Sequence, residues 1–216
     1  MFKNRFKKFG GDYIPDIIQY LKEYIDKDPG VTISVGCDSI QKRRRTVYAI
    51  TIMLYNTDLK HGAHVVFFRE SCAKIKDNNE RLFKEAQYLH DLGVYLDEEL
   101  SKFYKRVDLT EKERKRYKYH LFKCAGEYSH VPLHQDESVM NALFLTTADE
   151  IEYRLVDLHA DFNPFEGSIN EKGIHRNKSH AAYKSYIPWL RGMGFRTWVK
   201  PNAPASTSAA DLLLHD

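Results

Sequence analysis

Three cysteines, Cys37, Cys72 and Cys124, are all that 216 residues contain. An odd number at wide spacing makes neither a zinc-ligand pattern nor a disulfide framework, so buried or free thiols are expected. Long apolar runs are also missing. None approaches the roughly 20 residues needed to cross a bilayer, and the opening Met1-Phe-Lys-Asn-Arg-Phe-Lys-Lys8 lacks a signal-peptide core. These absences give the expectation of an intracellular, cytoplasmic protein without membrane contact. A charge excess of one sign is missing too, the formal net charge being +3. What is present is 43% hydrophobic beside 29% charged residues, which suits one globular domain over 1–216 with a real core.

The distribution of charge says more than its sum. Lys3, Arg5, Lys7 and Lys8 form one basic run, and Lys42, Arg43, Arg44 and Arg45 another. Between Lys102 and Lys123 nine Lys or Arg stand against three acids, interleaved with Phe103, Tyr104, Tyr117 and Tyr119. Basic residues with aromatics can follow a phosphate backbone and stack bases, although each run alone also reads as a solvated face. The nucleic-acid candidates are Lys42, Arg43, Arg44, Arg45, Arg114, Lys115, Arg116 and Lys118.

Periodicity orders the chain. Residues 1–29 read as a basic arm and a helix carrying Ile14, Ile17, Ile18, Leu21 and Ile25, stopped by Asp28-Pro-Gly30. Val31 to Ser39 alternates as a strand, with Thr32, Ser34, Gly36 and Asp38 on one face and Ile33, Val35 and Cys37 on the other. Thr46 to Tyr55 and Ala63 to Ser71 are two further strands, and the short links imply an antiparallel meander. Asp77-Asn-Asn79 starts a helix with Leu82, Phe83, Ala86, Leu89, Leu92 and Leu96 inward. Residues 97–150 are polar, basic and harder to read; we expect helices with a loop at 127–136. Glu152 to His159 is a fourth strand, His180 to Met193 a helix interrupted by Pro188, and Phe195 to Lys200 a fifth strand. A Pro/Ala/Ser turn over 201–207 leads to a short helix, Ser208 to Leu214. The expected class is therefore α/β, a mixed five-stranded sheet of three antiparallel strands followed by βαβα, with helices on its faces. That is the element order of the ribonuclease H fold.

Four acids fall where such a fold can gather them: Asp38 at the end of the first strand, Glu85 on the first long helix, Asp161 closing the fourth strand, and Asp211 in the first turn of the last helix. Oxygen-only sites suit hard cations such as Mg²⁺ or Mn²⁺, and a pair of such ions supports attack on a phosphodiester. Each acid also has a plain reading. Asp38 and Asp161 can be turn formers, Glu85 an exposed helix residue with Glu80 as competitor, and Asp211 the end of a Ser208-x-x-Asp211 capping box. The argument rests on their joint placement. His159 shares a strand face with Asp157 and Asp161 and is a possible auxiliary residue. His175 and His180 lie on or near the following loop, where a mobile histidine can assist product release.

Four stretches resemble the ribonuclease H-like family of bacterial and phage proteins often called YkuK-like. They are Ile33-Ser-Val-Gly-Cys-Asp-Ser39, Arg81-Leu-Phe-Lys-Glu85, Leu158-His-Ala-Asp161, and Gly192-Met-Gly-Phe195 followed by Lys200-Pro-Asn-Ala-Pro-Ala-Ser-Thr-Ser-Ala-Ala-Asp211. The likeness spans roughly 30–96 and 152–211. It implies the ribonuclease H-like fold, a divalent metal (Mg²⁺ or Mn²⁺) held by Asp38, Glu85, Asp161 and Asp211, and it selects Glu85 over Glu80. Residues 97–150 match nothing in the pattern and read as a helical insertion. The loop after Asp161 is long, and Asn202 stands where the family tends to have an acid.

Three function classes follow from these residues, beside the remaining possibility of another phosphoester or nucleotide substrate. A metal-dependent nuclease would act on RNA, an RNA–DNA hybrid or structured DNA, with the four acids catalytic and metal-ligating and the basic runs binding the strand. A nucleic-acid-binding module would keep the fold without turnover. A structural or protein-interaction domain would use the charge runs for solvation alone.

Overall fold

The computed structural model describes residues 2–56, 62–105, 115–117, 119, 154–165 and 179–215. In chain order the elements are β1 (Lys7–Lys8), α1 (Ile17–Lys27), β2 (Thr32–Gln41), β3 (Arg45–Tyr55), β4 (His64–Ala73), α2 (Asn78–Leu100), β5 (Val156–Ala160), α3 (His180–Gly192), β6 (Thr197–Val199), a π-helical segment Ala205–Ala210, and α4 (Asp211–His215). The sheet order is β1-β4-β3-β2-β5-β6. β2, β3 and β4 form the antiparallel meander, and β5 and β6 add to β2 in parallel.

The sheet has six strands rather than the five read from periodicity. Lys7 and Lys8 of the basic arm pair with Phe67 and Val66 of β4. A strand at a sheet edge needs only backbone groups to pair, so two lysines serve and keep that edge charged.

Local chemistry explains the element ends. Asp16 caps α1, its Oδ1 accepting from the backbone N–H of Ile18 at 3.0 Å and of Gln19 at 3.3 Å. Asp16→Ala is expected to cost about 1 kcal/mol, read as a lower urea midpoint at unchanged slope. Asp77 caps α2 through the N–H of Glu80 at 2.7 Å. α2 runs through Leu100, so Asp97 lies inside it, buried, and ties its last turn to the approach to β5. Its carboxylate accepts from Leu155 N at 2.8 Å and from Arg154 Nη1 at 2.9 Å.

The pleat sorts the core as the alternation predicts. Ile33, Val35 and Cys37 of β2 join Tyr48, Ile50 and Ile52 of β3 under α1, α2 and α3, in the larger apolar core. On the opposite face a smaller cluster, Val47, Ala49, Phe67, Ala210, Leu213 and Leu214, seats the last helical segment. Phe83 departs from its expected inward place: it is 39% exposed, with its ring beside Tyr186. Cys37 is buried and Cys72 partly so, both as free thiols; Cys124 lies outside the described residues. Among the described residues no helix is long and apolar enough to cross a membrane.

Candidate active site

Register decides which side chains meet. β2 and β5 run parallel with Cys37 opposite Ala160, and β5 and β6 run parallel with Ala160 opposite Val199. The next residue on each chain is therefore Asp38, Asp161 and Lys200, side by side across one edge of the sheet. Lys200 Nζ stands 2.8 Å from Asp161 Oδ2. The other oxygen, Asp161 Oδ1, is buried with no hydrogen-bond partner among the described residues.

Glu85 reaches the same edge from α2. It is 1% exposed. Its Oε1 accepts from Ser39 Oγ at 2.5 Å and from Arg81 Nη1 at 3.1 Å, one helical turn back. Arg81 is itself anchored, donating to Ser39 O at 3.1 Å and to Asn78 Oδ1 at 2.9 Å. Asp38 accepts the N–H of Ser39 at 2.7 Å.

Asp211 arrives by a different route. Gly36 lies under the π-helical segment so closely that an added Cβ would come within 2.3 Å of the Ala205 backbone. Thr51 Oγ1 donates to Ala205 O at 2.8 Å, and His159 Nδ1 accepts from Ala205 N at 3.1 Å. This seat delivers Asp211 as the first residue of α4, exposed, with Oδ1 3.4 Å from His215 Nε2. A π turn of this kind is frequent at functional positions. Ser208 lies inside the π-helical segment, whose N-cap is Pro204, so the expected capping box with Asp211 does not form.

Electrostatics tie the four acids together. Burial, then the charges of Asp161 and Asp211, push the Asp38 carboxyl up to about 6, against the Ser39 N–H. Burial and Asp38 hold Glu85 well above the usual carboxylate range, opposed by Arg81 and Ser39. Burial raises Asp161 as well, with Lys200 opposing and Asp211 adding. Gathered acids that raise one another in a partly dry place call for a cation. As they stand, Glu85 turns to Arg81 and Asp161 to Lys200. Among the described residues no three acidic, histidine or cysteine side chains are in ligating arrangement.

The histidines and basic residues are placed as follows. His159 is buried under the π segment, where it holds the chain that presents Asp211. His180 is the buried first residue of α3, stacked on Tyr183; His175 lies outside the described residues. Lys42, Arg43, Arg44 and Arg45 are exposed at the β2–β3 turn, closed by Lys42 N to Arg45 O at 2.8 Å. Lys42 is four strand residues past Asp38, about 13 Å along β2. Lys42, Arg45 and Arg69, with Glu70 and Ser71 among them, rim a depression of about 180 Å³ floored by Val47, Leu213 and Leu214. Lys115 and Arg116 are exposed near the other sheet edge, Arg116 over the Trp198 ring at 5.5 Å. Beside it the buried Tyr117 accepts the Thr197 N–H of β6 at 3.1 Å. Arg114 and Lys118 lie outside the described residues.

Sequence reasoning missed Lys200, Arg81, Ser39 and Arg69 as site neighbours. The signal for Lys200 was its place one residue after a strand parallel to β5, and for Arg81 its i,i+4 spacing from Glu85.

Residues 14–116 match the family model described as Ribonuclease H-like. The match takes in Asp38 and Glu85, whereas Asp161 and Asp211 lie beyond it and are placed by the fold alone. No curated protein and no solved structure matches the chain. Over residues 14–116 the chain is thus similar to the ribonuclease H-like family that its motifs resemble, and the order and direction of its strands fit that fold.

Proposed function

We propose that this protein is a metal-dependent phosphodiester hydrolase that cuts RNA, an RNA–DNA hybrid or structured DNA. The observation that carries the reading is the meeting of Asp38, Glu85, Asp161 and Asp211 at one sheet edge, with the buried Asp161 Oδ1 unpartnered among the described residues. These four residues would hold Mg²⁺ or Mn²⁺; an all-oxygen donor set fits such an ion. The ion supplies neutralisation of charge on the scissile phosphate. The chain's own part is to position that phosphate and hold the strand. Asp38 and Asp161 stand on adjacent parallel strands and Glu85 is anchored by Ser39 and Arg81, so the backbone that carries these acids is in place before substrate arrives.

Lys42, Arg43, Arg44 and Arg45, with Arg69 beside them, give the strand a basic path away from the acids, and Lys115 and Arg116 a second near the far edge. Replacing Arg45 and Arg69 together with Ala is expected to weaken binding of a labelled oligonucleotide several-fold at 100 mM salt. The log–log salt slope should fall by about 1.5, since two phosphate contacts are lost. An unchanged slope would take the strand off this path.

The direct test is cleavage of labelled single-stranded RNA, an RNA–DNA hybrid and branched DNA with Mg²⁺ or Mn²⁺, comparing wild type with Asp38→Asn. Metal-dependent cutting absent from the variant supports the reading. One observation favours a nucleic-acid-binding module without turnover: Arg81 and Lys200 already pair with two of the four acids. Salt-sensitive binding by both proteins, with no cutting of any substrate by either, would establish that second reading.

A further inference from the structure

The two cations at the sheet edge differ in how they are held. Arg81 is gripped by Ser39, Asn78 and Glu85, so it stays in place whatever Glu85 does. Among the described residues the Lys200 ammonium is joined only to Asp161, by an ion pair 2.8 Å long, and its side chain is 42% exposed. A four-carbon stem with an open path to water lets the ammonium swing away, at small cost only when another cation takes its place beside the largely buried Asp161. Its partner cannot leave. Asp161 sits on the strand end beside Asp38, with its second oxygen buried and unpartnered among the described residues. The ammonium thus lies where acids on neighbouring elements, Asp38, Glu85, Asp161 and Asp211, concentrate negative charge, and it does there what a bound cation would do.

We propose that Lys200 is a resident counter-ion which competes with a hard divalent cation for Asp161. Entry of Mg²⁺ or Mn²⁺ requires Lys200 to release Asp161 Oδ2, and the released ammonium stays beside the site on its tether. The protein therefore holds its metal less tightly than its four acids alone would, and keeps the acids stable when no metal is bound. This rests on the reading that the four acids hold metal.

The test is a titration of Mn²⁺ into wild type, Lys200→Met, Lys200→Gln and Lys200→Arg, with free Mn²⁺ counted by its electron spin resonance signal. Both neutral variants should bind Mn²⁺ at least tenfold more tightly than wild type, and Lys200→Arg, which keeps the charge, should stay near the wild-type value. In wild type labelled on lysine, adding diamagnetic Mg²⁺ should move the Lys200 side-chain NMR signal toward that of a solvated lysine. If wild type binds Mn²⁺ and the neutral variants bind no more tightly, or the Lys200 signal stays put while Mg²⁺ binds, the counter-ion role is wrong and the metal site stands. If neither wild type nor the neutral variants bind Mn²⁺, the metal reading itself falls and takes this inference with it.

Discussion

Asp38→Asn is expected to raise the melting temperature at pH 7.5 by about 5–10 °C while removing the cleavage proposed for this site. Burial and the neighbouring acids push the Asp38 carboxyl up to about 6 in the fold, against about 3.9 for an unfolded aspartate. A carboxyl that takes a proton more readily when folded favours the fold in its neutral form. That benefit is complete below about pH 4 and is lost as pH rises through 6. At neutral pH the ionised group therefore subtracts on the order of 2–3 kcal/mol. Asn removes the charge, keeps the shape, and retains an oxygen to accept the Ser39 N–H. Calorimetry at pH 7.5 and at pH 4 checks the sign: the advantage of the variant should be present at the first and absent at the second. On the proposed function, adding Mg²⁺ should narrow the gap by stabilising wild type more than the variant. A variant that melts at or below wild type at pH 7.5 would mean that Asp38 is not held at a cost.

Gly36→Ala should have the larger structural effect. The new methyl would meet the Ala205 carbonyl at 2.3 Å and the Ser206 nitrogen at 2.6 Å. These are backbone atoms, and no side chain can swing aside to make room. The sheet keeps its strands, because alanine fits β2 well enough, so the strain is released by the segment above it. We expect a loss of about 3 kcal/mol, with faster amide exchange concentrated over residues 205–214. The proposed cleavage should fall with it, because Asp211 is delivered by that segment. Unchanged protection at 205–214 would show that the seat on Gly36 does not hold the helix.

The sequence disclosed the parts of this molecule whose pattern is local. The meander was legible because β2, β3 and β4 alternate, and the start of α2 because Asp77 is a good cap. The faces of β2 followed from its period of two, including the row of small residues that turns out to lie beneath Ala205. β1 was not legible, since two lysines carry no apolar signal and pair through backbone alone. The π-helical segment was read as turn followed by helix because Ala205 to Ala210 has no apolar period; Gly36 and Thr51 on other strands shape it. Phe83 fits a helical spacing yet lies outside, where α3 offers Tyr186 as its neighbour. The four acids could be named one by one. Their company could not: Lys200 meets Asp161 only because β5 and β6 run in register, a fact of pairing rather than of composition.

The pairing of β2 on both sides sets a timetable for synthesis. One neighbour, β3, follows through a short turn, and β4 and α2 follow soon after, so residues 32–100 can assemble through near contacts. The other neighbour, β5, is made much later, and the bond from Thr51 to Ala205 spans 154 residues. At 5–20 residues per second, a ribosome leaves the inner edge of β2 unpaired for on the order of ten seconds. During that interval Asp38 and Glu85 exist, but the acids they are meant to meet do not. Loop closure over such a distance comes last. A chain ending before residue 205 therefore lacks the segment that presents Asp211, and the group of four acids is complete only once residues 205–211 are seated on β2 and β3.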